Sequence, residues 1–187
     1  MSNSERSKTY DLVLAGLFAA ITFLGVQVFR IQLPAAVGAP FIHFGNALVV
    51  LSVLMLGFKY GALAGAMGLG IFDMLNGYAS FAIFTITEAI IVAAVVSILF
   101  NLLGRNDKKV STIIVVAIAA GVTKIIESYV EGIIVSLIAG TSFKVASIAS
   151  FASLYVTVIN SISTVILVSL LYYPMKKIME RSLNRSL

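Results

Sequence analysis

Lys124, Glu127 and Glu131 stand three and four residues apart in the fifth long apolar stretch of this chain. At about 100° per helical residue, the three fall within roughly a 60° arc on one face. An ammonium among carboxylates can orient a small polar ligand through charge-assisted hydrogen bonds, or relay protons. Ionisable groups at membrane depth are costly, so such a face turns toward a bundle interior or a wet cavity. Neighbouring stretches carry matching polar groups: Thr85, Thr87 and Glu88; Asp73 and Asn76; His43 and Asn46; Tyr155 and Asn160.

The elements that must position these groups follow from composition. Of 187 residues, 60% are hydrophobic and only 11% charged, against about 25% charged in soluble domains. Mean hydropathy is +1.06. The chain therefore reads as an all-α integral membrane bundle, a single domain over residues 1–187. Its spans are expected near 10–29, 41–57, 59–76, 82–103, 111–139 and 150–173, each close to the length that crosses about 30 Å of hydrocarbon. The first stretch is longer than a signal-peptide core and is read as a retained span. With both termini cytoplasmic, ten lysines and arginines fall inside, and only Arg30 and Lys144 fall outside. The net charge of +5 is thus a topological signal, and nucleic acid is not an expected partner.

Sidedness fixes depth. Lys124 lies fifteen residues beyond Lys109 at the inner edge, or about 22 Å along a helix. That puts Lys124 just past the midplane, with Glu127 deeper toward the outside and Glu131 near the outer headgroups. Glu88, Asp73, His43, Tyr155 and Asn160 also fall in outer halves, whereas the inner halves carry little that ionises except Asp11. A channel would place polar groups along the whole crossing. One-sided polarity fits an outward-facing pocket closed below by apolar packing. The segment 30–40, with Pro34 and Pro40, suits a loop over the pocket mouth, and a passive connector is equally consistent. Tyr78, Phe81, Phe84, Tyr129, Phe151 and Tyr155 lie toward the same side, where rings stack on a flat ligand or anchor the interface.

Plainer roles compete at each position. Lys124 could form a purely structural ion pair with Glu127 or Glu88, Glu131 could snorkel, Asp73 could hold a turn, His43 could pack at the interface, and Asn160 could bridge helices.

Ala15 and Ala19, with Gly16 beside them, form a small-residue face on span one that would admit another helix closely. Gly57, Gly61 and Gly65 repeat the spacing around the second turn. Several activities have no residues to carry them. There is no GxxxxGK[ST] phosphate loop, no GxSxG, no HExxH, no cysteine and a single histidine, so neither an enzyme nor a metal site is expected.

The run Ile42-His43-Phe44-Gly45-Asn46, continued by Leu56-Gly57-Phe58-Lys59-Tyr60-Gly61-Ala62-Leu63-Ala64-Gly65, Asp73 and Gly77-Tyr78, resembles the S components of energy-coupling factor (ECF) vitamin transporters. It is similar to the branch holding riboflavin-type and hydroxymethylpyrimidine/pyridoxine-type members, and the resemblance covers nearly all six spans. Two positions depart from that pattern: Glu88, where several relatives carry lysine, and the absence of a proline before Asn160. The resemblance implies a protein of the bacterial plasma membrane that binds a vitamin in the outer ends of spans four to six. Lys124, Glu127, Glu88, Thr85, Glu131, Tyr155, Asn160, His43, Asp73 and Tyr78 are the candidate ligand residues. It further implies docking of the Ala15/Ala19/Gly16 face on a transmembrane T component. Two ATPase subunits would use the ATP, and this chain would hold no cofactor. Hydroxymethylpyrimidine or pyridoxine is the expected substrate, with riboflavin next. The competing reading is a small proton-coupled secondary transporter relaying protons through Glu127 and Lys124; a ligand-free structural subunit is a third.

Overall fold

A computed structural model describes residues 3–35 and 40–185. Five helices dominate: α1 (Asn3–Gln27), α2 (Gly45–Leu75), α3 (Ala82–Leu102), α4 (Val110–Ile138) and α5 (Phe143–Arg185). All five contain stretches long and apolar enough to cross a membrane. Their exposed surfaces carry many large hydrophobic side chains, among them Leu12, Leu17, Ile98, Ile126 and Ile166, as expected where lipid rather than water is the solvent.

α2 is not one straight rod. Gly57 has φ 76° and ψ −179°, a backbone that L side chains rarely adopt, and the helix breaks there. The Ser52 hydroxyl donates to the Gly61 carbonyl at 3.2 Å. Nine residues of continuous helix would separate those groups by about 13 Å, so the chain doubles back and the arms 45–56 and 58–75 pack on each other. The separator expected between spans two and three is therefore a reversal inside one continuous helical assignment.

Several boundaries differ from the sequence expectation: the first helix, expected over 10–29, already begins at Asn3 and ends at Gln27. The second span, expected from residue 41, begins at Gly45, because Phe41–Ile42 (β2) are extended and pair antiparallel with Ile31–Gln32 (β1). This small ribbon is also a departure from a purely helical chain. The sixth, expected over 150–173, starts seven residues earlier and runs on through Pro174 to Arg185. Pro174 removes one helical hydrogen bond, but Tyr172 and Tyr173 before it and Lys176 after it are all tied to Asp107, so the helix is held on both sides.

α1 packs on α2, α2 on α3, and α4 on α5. One half of the bundle is filled by a close-packed apolar core in which Leu51, Val96, Ile113, Val116 and Val168 are fully buried. The face of α1 expected to meet a partner instead turns into this bundle. Ala15 and Ala19 are only 2% and 6% exposed, while Gly16 is exposed. The cause is a second small residue opposite: a Cβ on Gly68 would stand 2.7 Å from the Ala19 carbonyl oxygen. Small-residue spacing allowed a close helix approach, and α2 is the helix that uses it.

Candidate functional site

Polar residues gather at the end of the bundle where the β-ribbon lies. They line a cavity of about 210 Å³ built from all the elements that end there. β2 and the start of α2 contribute Phe41, His43 and Asn46. The end of α2 gives Leu69, Phe72 and Asp73, and Tyr78 follows in the next turn. α3 gives Thr85 and Glu88, α4 gives Lys124, Ser128, Glu131 and Gly132, and α5 gives Ser150, Ser153, Thr157 and Asn160.

The floor is an ion pair: the Lys124 ammonium donates to Glu88 Oε2. Asp73 and Glu88 are 6% and 8% exposed, and each keeps one oxygen, Asp73 Oδ2 and Glu88 Oε1, buried without a hydrogen-bond partner. Ser150 Oγ on the opposite wall is in the same condition. A buried acceptor left unmade costs about 1–3 kcal/mol, and more when charged. Oxygens in that state along a cavity are free to accept from whatever enters it, water included.

One side of the cavity is aromatic. The Phe72 and Tyr78 rings are nearly parallel with centroids 6.1 Å apart, and Phe41 sits 5.5 Å from Tyr78 and 5.6 Å from Phe72. The Arg30 guanidinium covers this cluster, 5.4 Å from the Phe72 centroid and 5.8 Å from that of Phe41.

The extended segment over the cavity is held by side chains from α5. Asn160 Oδ1 accepts from the His43 backbone N–H at 3.0 Å, and its Nδ2 donates to the Phe41 carbonyl at 2.9 Å. Asn160 thus lines the cavity while spending its amide on the strand. His43 Nδ1 accepts from the Gly45 N–H, which leaves that nitrogen without a proton and the imidazole neutral. The Tyr155 hydroxyl donates to the Pro34 carbonyl. Residues 36–39 of the expected loop lie outside the described residues.

Eight candidate residues therefore meet at one cavity: Lys124, Glu88, Thr85, Glu131, Asn160, His43, Asp73 and Tyr78. Two do not line it. Glu127 shares an arc of α4 with Lys124 and Glu131, about 40° round from Glu131, yet falls just outside the lining; both its oxygens are buried without partners. Tyr155 is exposed beside the α5 stripe formed by Ser150, Ser153, Thr157 and Asn160 and acts on the loop instead. Sequence reasoning missed Phe41, Phe72, Ser128, Gly132, Ser150 and Thr157 as site residues. The α4 and α5 members were findable, since they recur at helical spacing from Lys124 and back from Asn160. Phe41 and Phe72 carried no such signal within their apolar runs.

At the other end, Asp107 in the α3–α4 connection accepts from the Tyr172 hydroxyl at 2.9 Å and from the Lys176 ammonium, while Tyr173 donates to its carbonyl at 2.8 Å. The Lys176 hydrogen bond holds the Asp107 carboxyl below its usual range against the opposing effect of burial. Among the described residues, no cluster of histidine, aspartate and glutamate suited to a metal is found.

An apolar helical exterior, a sealed lower half and a lined polar chamber at one end define a membrane-embedded binding protein. A family model described as "ECF-type riboflavin transporter, S component" matches residues 6–177, and the chain belongs to that family. It is accordingly a multi-pass membrane protein and a transporter component rather than an enzyme, of a family that works with T-component and ATPase partners. The fold is similar to that of ThiT from Listeria monocytogenes, 18% identical, with a TM-score of 0.68 over 91% of this chain and 97% of that one. At that identity the likeness speaks for the fold. Comparison with curated proteins finds no match.

Proposed function

We propose that this chain is the high-affinity vitamin-binding S component of an ATP-driven importer, with six membrane crossings, both termini cytoplasmic and its cavity opening outward. The two arms of α2 and the basic residues gathered at the Gly57 and Asp107 end support that topology. The observation that carries the reading is the cavity itself: aromatic on one side, and lined by Asp73 and Glu88, each with an unpaired oxygen that a donor-bearing ring could meet. Hydroxymethylpyrimidine or pyridoxine suits this set, as small hydroxylated nitrogen heterocycles. Riboflavin is the second reading, favoured by the description of the matched family.

Transport rests on partners: a T component on which α1 docks, and two ATPase subunits that use the ATP, with no cofactor in this chain. Because Ala15 and Ala19 are buried, the docking surface shifts to the exposed side of α1 that carries Gly16. The test compares uptake with binding. Removing the T component should abolish concentrative uptake while purified protein still binds its vitamin. Gly16→Trp should do the same. Concentrative uptake persisting without the T component would overturn the proposal and favour a secondary transporter.

A further inference from the structure

The charged groups lining the cavity are unbalanced. Asp73, Glu88 and Glu131 face it against the single ammonium of Lys124, which is already committed to Glu88. Glu131 lies beside Glu88, where the two carboxyl groups can share a proton, and with Asp73 the carboxyl groups still outnumber the ammonium. His43 contributes no charge, since its Nδ1 is an acceptor. Arg30 keeps its charge over the Phe41 and Phe72 rings at the rim and does not line the chamber where the carboxyl groups sit. A polar membrane cavity whose only role was structural would be expected to neutralise itself, as the Asp107 end does. Here two carboxylates more than nine-tenths buried keep oxygens with no donor.

We infer that this cavity is a charge filter: it takes a neutral or cationic heteroaromatic bearing N–H or O–H donors and rejects the phosphate ester of the same ring. The inference rests on the vitamin-receptor reading and adds the electrostatic class of the ligand. A ring with an amino group, a protonated nitrogen or hydroxymethyl donors satisfies Glu88 Oε1 and Asp73 Oδ2 while its faces lie against the aromatic wall. A phosphate monoester carries up to two negative charges and acceptor oxygens. It would enter a site that presents acceptors, close to carboxylates whose repulsion is weakly screened because water is scarce. Specificity of this kind comes from an unfavourable term aimed at the wrong ligand.

The experiment measures equilibrium binding by titration calorimetry on the full-length purified protein, freed of copurified ligand, using matched pairs. These are pyridoxine and its 5′-phosphate, hydroxymethylpyrimidine and its phosphate, and riboflavin and its 5′-phosphate. The free form of the recognised vitamin should bind about 100-fold or more tightly than its ester. Glu131→Gln, at a partly buried position outside the Lys124–Glu88 salt bridge, should narrow that ratio by about tenfold with the fold intact. Free and esterified forms binding within a factor of about three of one another would overturn the charge filter while leaving the vitamin receptor standing. An unchanged ratio in both Glu131→Gln and Asp73→Asn would also overturn it. Absence of binding by every compound would remove the vitamin reading, and this inference with it.

Discussion

The two ends of the bundle treat their carboxylates in opposite ways. At one end Asp107, only partly buried, accepts from a tyrosine hydroxyl and a lysine ammonium on the same carboxylate oxygen. At the other, Asp73, Glu88 and Glu127 all keep buried oxygens unpaired, and the first two line a chamber. For Asp73 and Glu88, though not for Glu127, the difference coincides with the chamber. A carboxylate kept for stability finds its donors within the protein, whereas one kept for recognition leaves them to be supplied.

The comparison can be broken by removing Lys124, the cation that lines the cavity. Lys124→Ala strands the Glu88 carboxylate in an apolar bundle and should cost about 3–5 kcal/mol of stability together with ligand binding. Thermal melts with and without vitamin check both, and a variant that melts and binds like wild type would place the pair outside the site. Glu88→Gln keeps the shape and an acceptor but weakens every charge-assisted bond. Its affinity should fall by about 10–100-fold by calorimetry. Asn160→Ala removes the clamp on Phe41 and His43 without touching the carboxylates, so about tenfold weaker binding is expected, through faster dissociation in stopped flow.

The smallest effect belongs to the opposite end. Asp107→Asn should cost about 1 kcal/mol at neutral pH and leave vitamin affinity unchanged. The sign follows from the Asp107 carboxyl being held below its usual range. Its contribution is complete above the unfolded value near about pH 4 and is lost as pH falls through the lower folded value, so melting curves of variant and wild type should converge in acid.

Much of this contrast was legible in the residues. Apolar run length gave the helices, and Gly57 with Lys59 marked the reversal within α2. Helical phase from Lys124 gathered most of the polar site. Phase also explains the loss of Tyr155, which has the right type at the right depth but stands off the α5 stripe, whereas Glu127 sits at the edge of the α4 stripe, where spacing alone does not decide. The inward turn of Ala15 and Ala19 was not legible, because small-residue spacing says that a helix comes close without saying which one. Gly68 settles that only once α2 is folded back. The two-residue strands were invisible to periodicity, and with them the use of Asn160 as a backbone clamp.

Mass spectrometry of small molecules extracted from the purified protein tests the cavity-end claim most directly. A vitamin-class heteroaromatic, near one per chain in wild type and missing from Lys124→Ala, is the result the unpaired carboxylates predict. Wild-type protein that is folded yet empty and takes up nothing from a vitamin panel, or a ligand retained undiminished by Lys124→Ala, would contradict it.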